Sequence, residues 1–434
     1  MDGQGQGREG HLRFGGWDTV ELAERFGTPL YVLSEDAVRK RCRSVRETFI
    51  NRHDGAFAAY AGKAFLTMAM CRIVQSEGLG LDLVSGGELF TAQQAGFPLD
   101  RTFLHGNAKT KDELTHALQA GVGRIVVDGR SELETLAELA RGMGRRAAIL
   151  LRIAPGVDAH THRYIRTGHT GSKFGFSLIG DDLRDAVGFC MASESLDLRG
   201  MHFHIGSQIF ESTAHVMAVD ILVDLLAALA RDAGFQAGEV NLGGGFGVDL
   251  LDEGRNPEIA SFTDPMMDHL TAKCREAGLL RPRVTIEPGR WIVSDAGITL
   301  YRVQTVKRVG DLVTYVGVDG GMTDNPRPSL YGAKYRAAVA NRMDQGATET
   351  VTVVGKCCES GDVLVEGLRT PPPERGDLIA VFSTGAYTFS MASNYNKIPR
   401  PAVVLVSGGR ADVIAERQSY EDLLRGERIP GHLQ

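Results

Sequence analysis

The chain has 434 residues, of which 43% are apolar and 24% are charged, and its formal net charge at pH 7 is -6. This composition allows a sizeable core of two domains or of one barrel with an appended domain, and the charge lacks the basic footprint of a nucleic-acid-binding protein. No window approaches the ~18 uninterrupted apolar residues of a membrane span, and six cysteines in so long a chain indicate a reduced, cytoplasmic protein rather than a disulfide framework.

The N-terminal stretch MDGQGQGREGHLRFG is rich in glycine and lacks the apolar core of a signal peptide. We therefore expect residues 1–15 to form a disordered lead-in. The stretch TPLYVLS, which ends at residue 34, is predicted to be a strand. We expect residues 16–34 to join the sheet of a C-terminal domain before the chain enters a barrel.

From residue 55 onward, short apolar runs alternate with segments whose apolar residues recur at helical spacing. The runs are FAAYAGK, GLDLVS, TFLHGN, RIVVDG, AAILLRIAP, LRGMHFHIGS, VNLGGG and RVTIEPGR. Strands that alternate with helices predict parallel βαβ units, and eight of them predict an α/β fold of the (β/α)8 TIM-barrel type over residues 35–295. The remaining residues, 296–434, read as strands with turn signals and predict an all-β domain, sandwich-like or barrel-like.

Polar residues stand where the predicted barrel strands end, and the active sites of such barrels lie at the carboxyl ends of the strands. These residues are Lys63, Asp82, His204 with Ser207, the run Gly243–Gly245, and Glu287 with Arg290. Consecutive glycines let backbone N–H groups approach an anion closely, so the run predicts a phosphate site, although a tight turn would explain it equally well.

A lysine beside a phosphate site suggests an aldehyde cofactor held as a Schiff base, which means pyridoxal phosphate. That cofactor needs a carboxylate at its pyridine nitrogen, and Glu287 at the end of strand 8 is suited to this task. Taken singly, Lys63 could be a solvated surface residue and Glu287 an ion-pair partner. Their convergence on one barrel mouth favours the cofactor site.

The histidines suggest a rival function. His202 and His204 lie two residues apart and would face the same side of a strand, where they could ligate a metal, and His160 and His162 repeat the spacing. A metal-dependent barrel hydrolase is thus an alternative, although it leaves Lys63 and the glycine run without roles. His202 could also be simply a packed residue.

An ordered set of motifs gives the chain a wider resemblance. These motifs are YAGKAF, SKFGF, HFHIGSQ, NLGGGFG, EPGR, DGGMTDNPRPSLYGA, CESGD and GAYTFSMASNYN. Through them nearly the whole chain resembles the fold-type III pyridoxal-phosphate decarboxylases. The resemblance implies pyridoxal phosphate as cofactor, a homodimer with shared active sites, and the conversion of meso-2,6-diaminopimelate to L-lysine, the last step of lysine biosynthesis. A relative that acts on another amino acid and a silent regulatory homologue are alternatives.

The resemblance also implies a role for each motif residue. Lys63 would bind the cofactor covalently, His204 would stack on its ring, and Glu287 would pair with the pyridine nitrogen. Other cofactor-binding residues would be Asp82, Ser207, Gly243, Gly244, Gly245, Pro288, Gly289, Arg290 and Tyr387. The substrate would contact Arg290, Arg327, Tyr331, Glu359 and Tyr387. Cys358 would be the proton donor, and it would act with Glu359 across the dimer interface.

The chemistry of two of these residue types agrees with their roles. A thiol, with an ordinary pKa of about 8.5, is suited to reprotonating a carbanion near neutral pH. Cys358 could instead be a buried small hydrophobe, a description that fits its neighbour Cys357 better. Arginine pairs with carboxylates in a bidentate manner, so Arg327 and Arg290 favour a substrate with an acidic distal group over ornithine or lysine.

Overall fold

The structure, a computed structural model, describes residues 5–6, 10–157 and 172–434. His160 and His162 of the metal hypothesis lie outside the described residues. The chain forms two compact units. One consists of Arg39–Asp249 and Gly254–Ile292, and the other consists of the residues up to Val38, Leu250–Glu253 and Val293–Gln434.

The first unit is a closed barrel of eight parallel strands. They are β1 (Ala56–Ala61), β2 (Gly80–Leu83), β3 (Thr102–Leu104), β4 (Arg124–Val127), β5 (Ala147–Ala154), β6 (Leu196–His202), β7 (Glu239–Asn241) and β8 (Arg283–Ile286). Each strand pairs in parallel with the next, and β8 pairs with β1 to close the barrel. The predicted (β/α)8 fold and its eight strands are confirmed.

The strands read as nearly continuous apolar runs because both of their faces are buried. The inner layer includes Ala59, Phe103, Val126 and Leu150, which form one packed cluster. Periodicity alone could not separate such short runs from buried helix. Their regular alternation with helical segments was the deciding signal.

Helices follow the strands around the barrel. They are α1 (Met68–Ser76), α2 (Gly86–Gln94), α3 (Lys111–Ala120), α4 (Arg130–Gly142), α5 (Asp182–Ala192), α6 (Thr213–Ala233) and α7 (Ala260–Glu276). Local signals fix several ends: Thr110 and Glu113 form a capping box at the start of α3, and Gly121 ends it in the left-handed conformation. By length and composition α6 could span a membrane, and 39% of its most apolar window is buried in the barrel unit, including Leu222, Leu226 and Leu229.

The second unit is built on a mixed sheet. Its main strands, in spatial order, are Val363–Thr370, Glu349–Val354, Val313–Val318, Gly297–Val309, Leu30–Ser34, Ala402–Ser407 and Arg410–Ala415. Leu378–Val381 also pairs with Gly297–Val309, and Ala337–Val339 pairs with Leu378–Val381. Its short helices are Thr19–Phe26, Arg327–Tyr331 and Tyr420–Leu424, whereas the helix Glu35–Val45 begins in this unit and continues into the barrel unit.

The N-terminal part of the chain differs from one expectation and agrees with another. The strand Leu30–Ser34 pairs with Gly297–Val309 and with Ala402–Ser407, as expected for TPLYVLS. The expected disordered lead-in is wrong for Leu12–Phe14, which forms a short strand that pairs with Trp17–Asp18. Because polar and apolar residues alternate in LRF, the side chains of Leu12 and Phe14 both lie in the core of this unit. The glycine-rich composition around LRF outweighs this short pattern in the sequence.

Candidate active site

Lys63 lies in a single turn, Gly62–Ala64, that directly follows β1. Its amine is 3.9 Å from Oδ2 of Asp82, near the end of the neighbouring strand β2. The Lys63 side chain is 37% exposed, whereas Asp82 is almost completely buried. Burial raises the pKa of Asp82, and His105, whose Nε2 lies 3.6 Å from Oδ1, partly offsets this effect. The barrel thus brings a lysine to its mouth beside a buried carboxyl group.

Glu287, the residue after β8, is the centre of a buried polar network. Its Oε1 accepts a hydrogen bond from Asn241 Nδ2 at 2.6 Å and lies 2.7 Å from His105 Nε2. Its Oε2 lies 3.3 Å from His202 Nε2. Burial by itself would raise the pKa of Glu287, but the two imidazoles hold it well below its ordinary value. The carboxylate is therefore ionised at neutral pH.

His202 is more than a packed residue. Burial lowers its pKa to about 3, so the ring is neutral and donates its Nε2 proton to Glu287. Its Nδ1 has no hydrogen-bond partner among the described residues. His202 is buried, as expected of a packed residue, and its ring also supports the site carboxylate.

The glycine run follows β7 and passes close to neighbouring backbone. Gly243 and Gly245 have φ values of 66° and 98°, which favour glycine. A Cβ at Gly243, Gly244 or Gly245 would come well inside 3.0 Å of a backbone oxygen of Phe203, Glu287 or Gly206, respectively. The run is thus more than a tight turn, because its glycines are required where three strand ends meet.

His204 and the glycine run fix each other. The Gly244 N–H donates to His204 Nδ1 at 3.2 Å, so the neutral ring carries its proton on Nε2. Burial, and then the nearby charge of Lys63, lower the pKa of His204 well below its ordinary value. Asn241 Oδ1 accepts from the Gly243 N–H at 3.0 Å, and this bond links the run to the Glu287 network.

The remaining predicted residues of the barrel unit border the same mouth. Arg290 Nη2 donates to Ser207 Oγ at 3.2 Å. The Pro288 carbonyl accepts a hydrogen bond from the Ala61 N–H at 3.3 Å. A Cβ added at Gly289 would lie 2.9 Å from the Cβ of Ala61, so the two residues are in close contact. The EPGR segment therefore lies against the end of β1, next to Lys63.

The predicted residues of the second unit form two groups. The buried Arg327 guanidinium carbon lies 5.0 Å from the ring centre of Tyr331 and 5.5 Å from that of Tyr387. Its Nε has no hydrogen-bond partner among the described residues. Cys358 and Glu359 lie together on an exposed loop. Arg327 with the two tyrosines makes a cationic, aromatic subsite suited to a carboxylate.

His105 and Asn241 were missed by sequence reasoning, although both lie next to strand ends. His105 follows β3 directly, and Asn241 is the last residue of β7. The signal was present in TFLHGN and VNLGGG, where a polar residue closes an apolar run. The apolar pattern of both runs predicts the strands but not the role of the polar residue that ends them.

The residues that could ligate a metal in the structure differ from the predicted pair, His202 and His204. Among the described residues, His105, His202 and Glu287 have a spacing that could hold an ion, and His204 is not in this group. The 2.7 Å between His105 and Glu287 is a hydrogen-bond distance, whereas two tetrahedral zinc ligands would lie about 3.4 Å apart. This spacing favours a direct contact between the His105 ring and the Glu287 carboxylate over an ion shared by the two.

The barrel-mouth residues fit a phosphorylated pyridine aldehyde. The glycine run leaves no room for side chains, so backbone lines the mouth at this point, and its Gly243 and Gly244 N–H groups donate to Asn241 and His204. Glu287 is ionised and suited to a protonated ring nitrogen, and both Asp82 oxygens lack a hydrogen-bond donor among the described residues. Lys63 is half-exposed at the same mouth and can reach a ligand there.

Comparisons with known proteins agree with this site. Residues 35–294 match the family model described as pyridoxal-dependent decarboxylase, pyridoxal binding domain. The diaminopimelate decarboxylase of Bacillus subtilis is 45% identical over 420 residues, which cover 97% of this chain and 96% of the relative. That of Halalkalibacterium halodurans is 46% identical, with 96% and 95% covered. The crystal structure of the M. jannaschii diaminopimelate decarboxylase with L-lysine has a TM-score of 0.93 at 33% identity, and it covers 100% of this chain and 99% of its own.

The barrel, the mixed-sheet unit and these matches define a fold-type III pyridoxal-phosphate decarboxylase. Its cofactor is pyridoxal phosphate, and it is a carboxy-lyase. Within that class the chain belongs to the diaminopimelate decarboxylase family.

Proposed function

We propose that this enzyme converts meso-2,6-diaminopimelate to L-lysine and CO2, with Lys63 and Glu287 as the centre of its cofactor site. The observation that carries the proposal is the ionised, buried Glu287 at the same barrel mouth as the half-exposed Lys63. The names of the relatives support the substrate, and so does the L-lysine bound in the M. jannaschii structure.

Bound pyridoxal phosphate supplies an electron sink for the carbanion that remains when CO2 leaves the α-carbon. Lys63 would hold the cofactor covalently through its amine. Glu287 would keep the pyridine nitrogen protonated, because an ionised carboxylate favours a cation beside it. His204, neutral and fixed by Gly244, would stack on the ring, and Asp82 would lie beside the Lys63 amine.

The phosphate group would be held mainly by backbone. Gly243, Gly244 and Gly245 would approach it without obstruction by side chains, and Ser207 would donate its hydroxyl proton. The backbone of Pro288, Gly289 and Arg290 would complete the cradle. Arg290, which is buried and donates to Ser207, also brings a positive charge to this side of the mouth.

The distal end of the substrate would be recognised by charge. Diaminopimelate carries a carboxylate there, whereas ornithine and lysine carry only an ammonium group. Arg327 would bind this carboxylate between Tyr331 and Tyr387, and Tyr387 would also contact the cofactor. Glu359 would bind the substrate as well, and a carboxylate suits its ammonium group.

Cys358 would be the acid that completes the reaction. After CO2 leaves, the α-carbon accepts the proton of the Cys358 thiol, and the resulting thiolate regains a proton from solvent. The neighbouring Cys357 is buried, and burial raises its pKa to about 11, which suits a packing role. Of the two adjacent cysteines, only Cys358 is exposed.

We further propose a cytoplasmic homodimer in which Cys358 and Glu359 act on the substrate of the partner subunit. Mixing inactive Lys63→Ala and Cys358→Ala proteins tests this arrangement, because each mixed dimer would contain one intact site. Random exchange of subunits predicts about a quarter of the native activity. If the mixture stays inactive although subunits have been shown to exchange between dimers, the shared site is wrong. An active monomer in sedimentation would contradict it as well.

The reaction itself is tested with purified holoenzyme and meso-diaminopimelate, with ornithine and arginine assayed in parallel. We expect rapid formation of L-lysine and little turnover of the other two substrates. Lys63→Ala should abolish both turnover and covalent retention of the cofactor, which mass spectrometry of the borohydride-treated protein detects. If the cofactor binds but none of the three substrates is decarboxylated, the substrate assignment fails.

A further inference from the structure

The loop that carries Cys358, residues 357–362 (CCESGD), is held tightly although Cys358 itself is exposed. Within the loop the Glu359 N–H donates to the Cys357 carbonyl at 2.8 Å, and the Asp362 N–H donates to the Glu359 carbonyl at 3.1 Å. An exposed side chain gains little orientation from packing. Within its own subunit the direction of the Cys358 thiol is therefore set largely by its backbone.

One anchor of this loop is the buried carboxylate of Asp362. Its Oδ2 accepts from the Cys357 N–H at 2.8 Å, and its Oδ1 accepts from the Met322 N–H at 2.7 Å. A Cβ at Gly321 or Gly355 would come within 3.0 Å of both carboxylate oxygens. The sequence therefore leaves a space between two glycines that this carboxylate fills, and the residue before Cys358 is fixed from inside the unit.

The other anchor is Asn396, in the segment SNYN. Its side-chain Oδ1 accepts from the Cys358 N–H at 2.8 Å. Asn396 is left-handed, with φ 53° and ψ 24°, a conformation that few residues other than glycine adopt but that asparagine tolerates. Non-glycine residues in this conformation cluster at functional sites because the surrounding structure must hold them there. The turn at Asn396 is closed by the Lys397 N–H, which donates to the Asn394 carbonyl at 2.9 Å.

We propose that Asn396 and Asp362 are positioning residues that fix two consecutive backbone N–H groups and thereby aim the Cys358 thiol at the α-carbon. The proposal rests on the proton-donor role of Cys358 given above. Asp362 holds the Cys357 N–H and Asn396 holds the Cys358 N–H. The Cys357 carbonyl also accepts from the Glu359 N–H, so the peptide plane that precedes the Cys358 α-carbon is fixed at both its N–H and its carbonyl. The remaining freedom of the thiol is then mainly rotation about the Cα–Cβ bond of Cys358.

Asn396→Gly is the main test, because glycine keeps the left-handed backbone and removes only the acceptor. We expect the Cys358 amide hydrogen to exchange with solvent about tenfold faster, since it loses one hydrogen bond. We expect kcat for diaminopimelate to fall several-fold with KM nearly unchanged, because binding does not use the thiol. CO2 should also outpace lysine, because a proton taken up at the former aldehyde carbon of the cofactor instead of the α-carbon would lead, with one water, to an aldehyde product and an aminated cofactor in place of lysine.

Two variants make the test specific. Asn396→Asp keeps an acceptor oxygen and tolerates the left-handed conformation, and it should restore the slow amide exchange. Lys397→Gly is the matched control, because Lys397 is also left-handed, with φ 56°, and its backbone does not bond to Cys358. We expect native exchange, kcat and product ratio for this control.

The possible outcomes separate the inference from the proposed function. If Cys358→Ala keeps native kcat, the proton-donor role is wrong, whatever Asn396 does. If Cys358→Ala is inactive but Asn396→Gly shows native exchange at Cys358, or a native kcat and a one-to-one ratio of CO2 to lysine, the positioning role is wrong. A Lys397→Gly protein with the same losses as Asn396→Gly would also overturn it.

Discussion

A methyl group added at Gly244 should damage both the barrel and the cofactor site. A Cβ at this position would lie less than 3.0 Å from the carbonyl oxygen of Glu287 and 3.0 Å from its carbonyl carbon. Both atoms belong to backbone, so no side chain can rotate away. The Glu287 N–H also donates to the Gly243 carbonyl at 2.7 Å, and the ends of β7 and β8 must separate if the methyl group is to fit.

Overpacking of this kind costs about 1–3 kcal/mol of unfolding free energy. In a unit of this size, 1 kcal/mol shifts the melting temperature by about 2–4 °C, so Gly244→Ala should melt about 2–12 °C below the native protein. Because the displaced residue is Glu287, the affinity for pyridoxal phosphate should fall as well. Gly188→Ala is the matched control: this glycine lies inside α5 with open space where its Cβ would be. It should raise the unfolding free energy by about 0.5–1 kcal/mol.

Calorimetry of the cofactor-free proteins measures the structural effect, and titration with pyridoxal phosphate measures the effect on the site. The two variants should move in opposite directions in calorimetry, and only Gly244→Ala should bind the cofactor more weakly. A Gly244→Ala protein with native melting temperature and native cofactor affinity would show that the ends of β7 and β8 can separate without a measurable cost in free energy. The argument for a rigid glycine cradle would then be wrong.

Three further predictions concern charge. Glu287→Gln should lower kcat by at least about 100-fold and alter the visible spectrum of the bound cofactor, because a neutral amide no longer favours a protonated ring nitrogen; a native spectrum and rate would contradict this role. The pKa of His202 is about 3 in the folded protein and about 6.5 in the unfolded chain. Between these two pH values the unfolded state therefore binds more protons than the folded state. Stability should therefore fall as pH drops below 6.5, with on the order of 3 kcal/mol lost by pH 4.5 from this group, and urea titrations of His202→Asn should show a flatter pH dependence. Arg327→Met should weaken kcat/KM for diaminopimelate about 10–100-fold without a comparable loss for ornithine, and equal losses for both would refute carboxylate recognition.

The barrel was predictable because its signals are local. Runs such as GLDLVS and RIVVDG are short, apolar and regularly spaced, and each became a strand. The position of Lys63 followed from the same rule, since a polar residue that ends a barrel strand faces the mouth. The LRF strand was not predictable in this way, because three residues among glycines carry too little periodicity to outweigh their composition.

The polar network around Glu287 could not be derived because its members are far apart in sequence. His105, Asn241 and Glu287 come from the ends of β3, β7 and β8, and they meet only when the barrel closes. The same limit applies to Asn396, whose bond to Cys358 joins residues 38 positions apart. Local patterns predict where a strand ends, but they do not predict which strand ends will share a hydrogen bond.

Two buried carboxylates of the barrel unit show why the Glu287 network points to function. Glu132 lies 2.7 Å from the buried Lys109 amine, so its charge is neutralised by a full cation. Glu287 is supported instead by an amide and two imidazoles, of which His202 is neutral. Such donors keep a carboxylate ionised while leaving much of its negative field uncancelled. The buried Arg152 guanidinium also interacts electrostatically with Glu287, but the two form no direct ion pair among the described contacts. Burying a charge without a full ion-pair partner costs several kcal/mol, and a protonated pyridine nitrogen beside Glu287 would offset part of that cost.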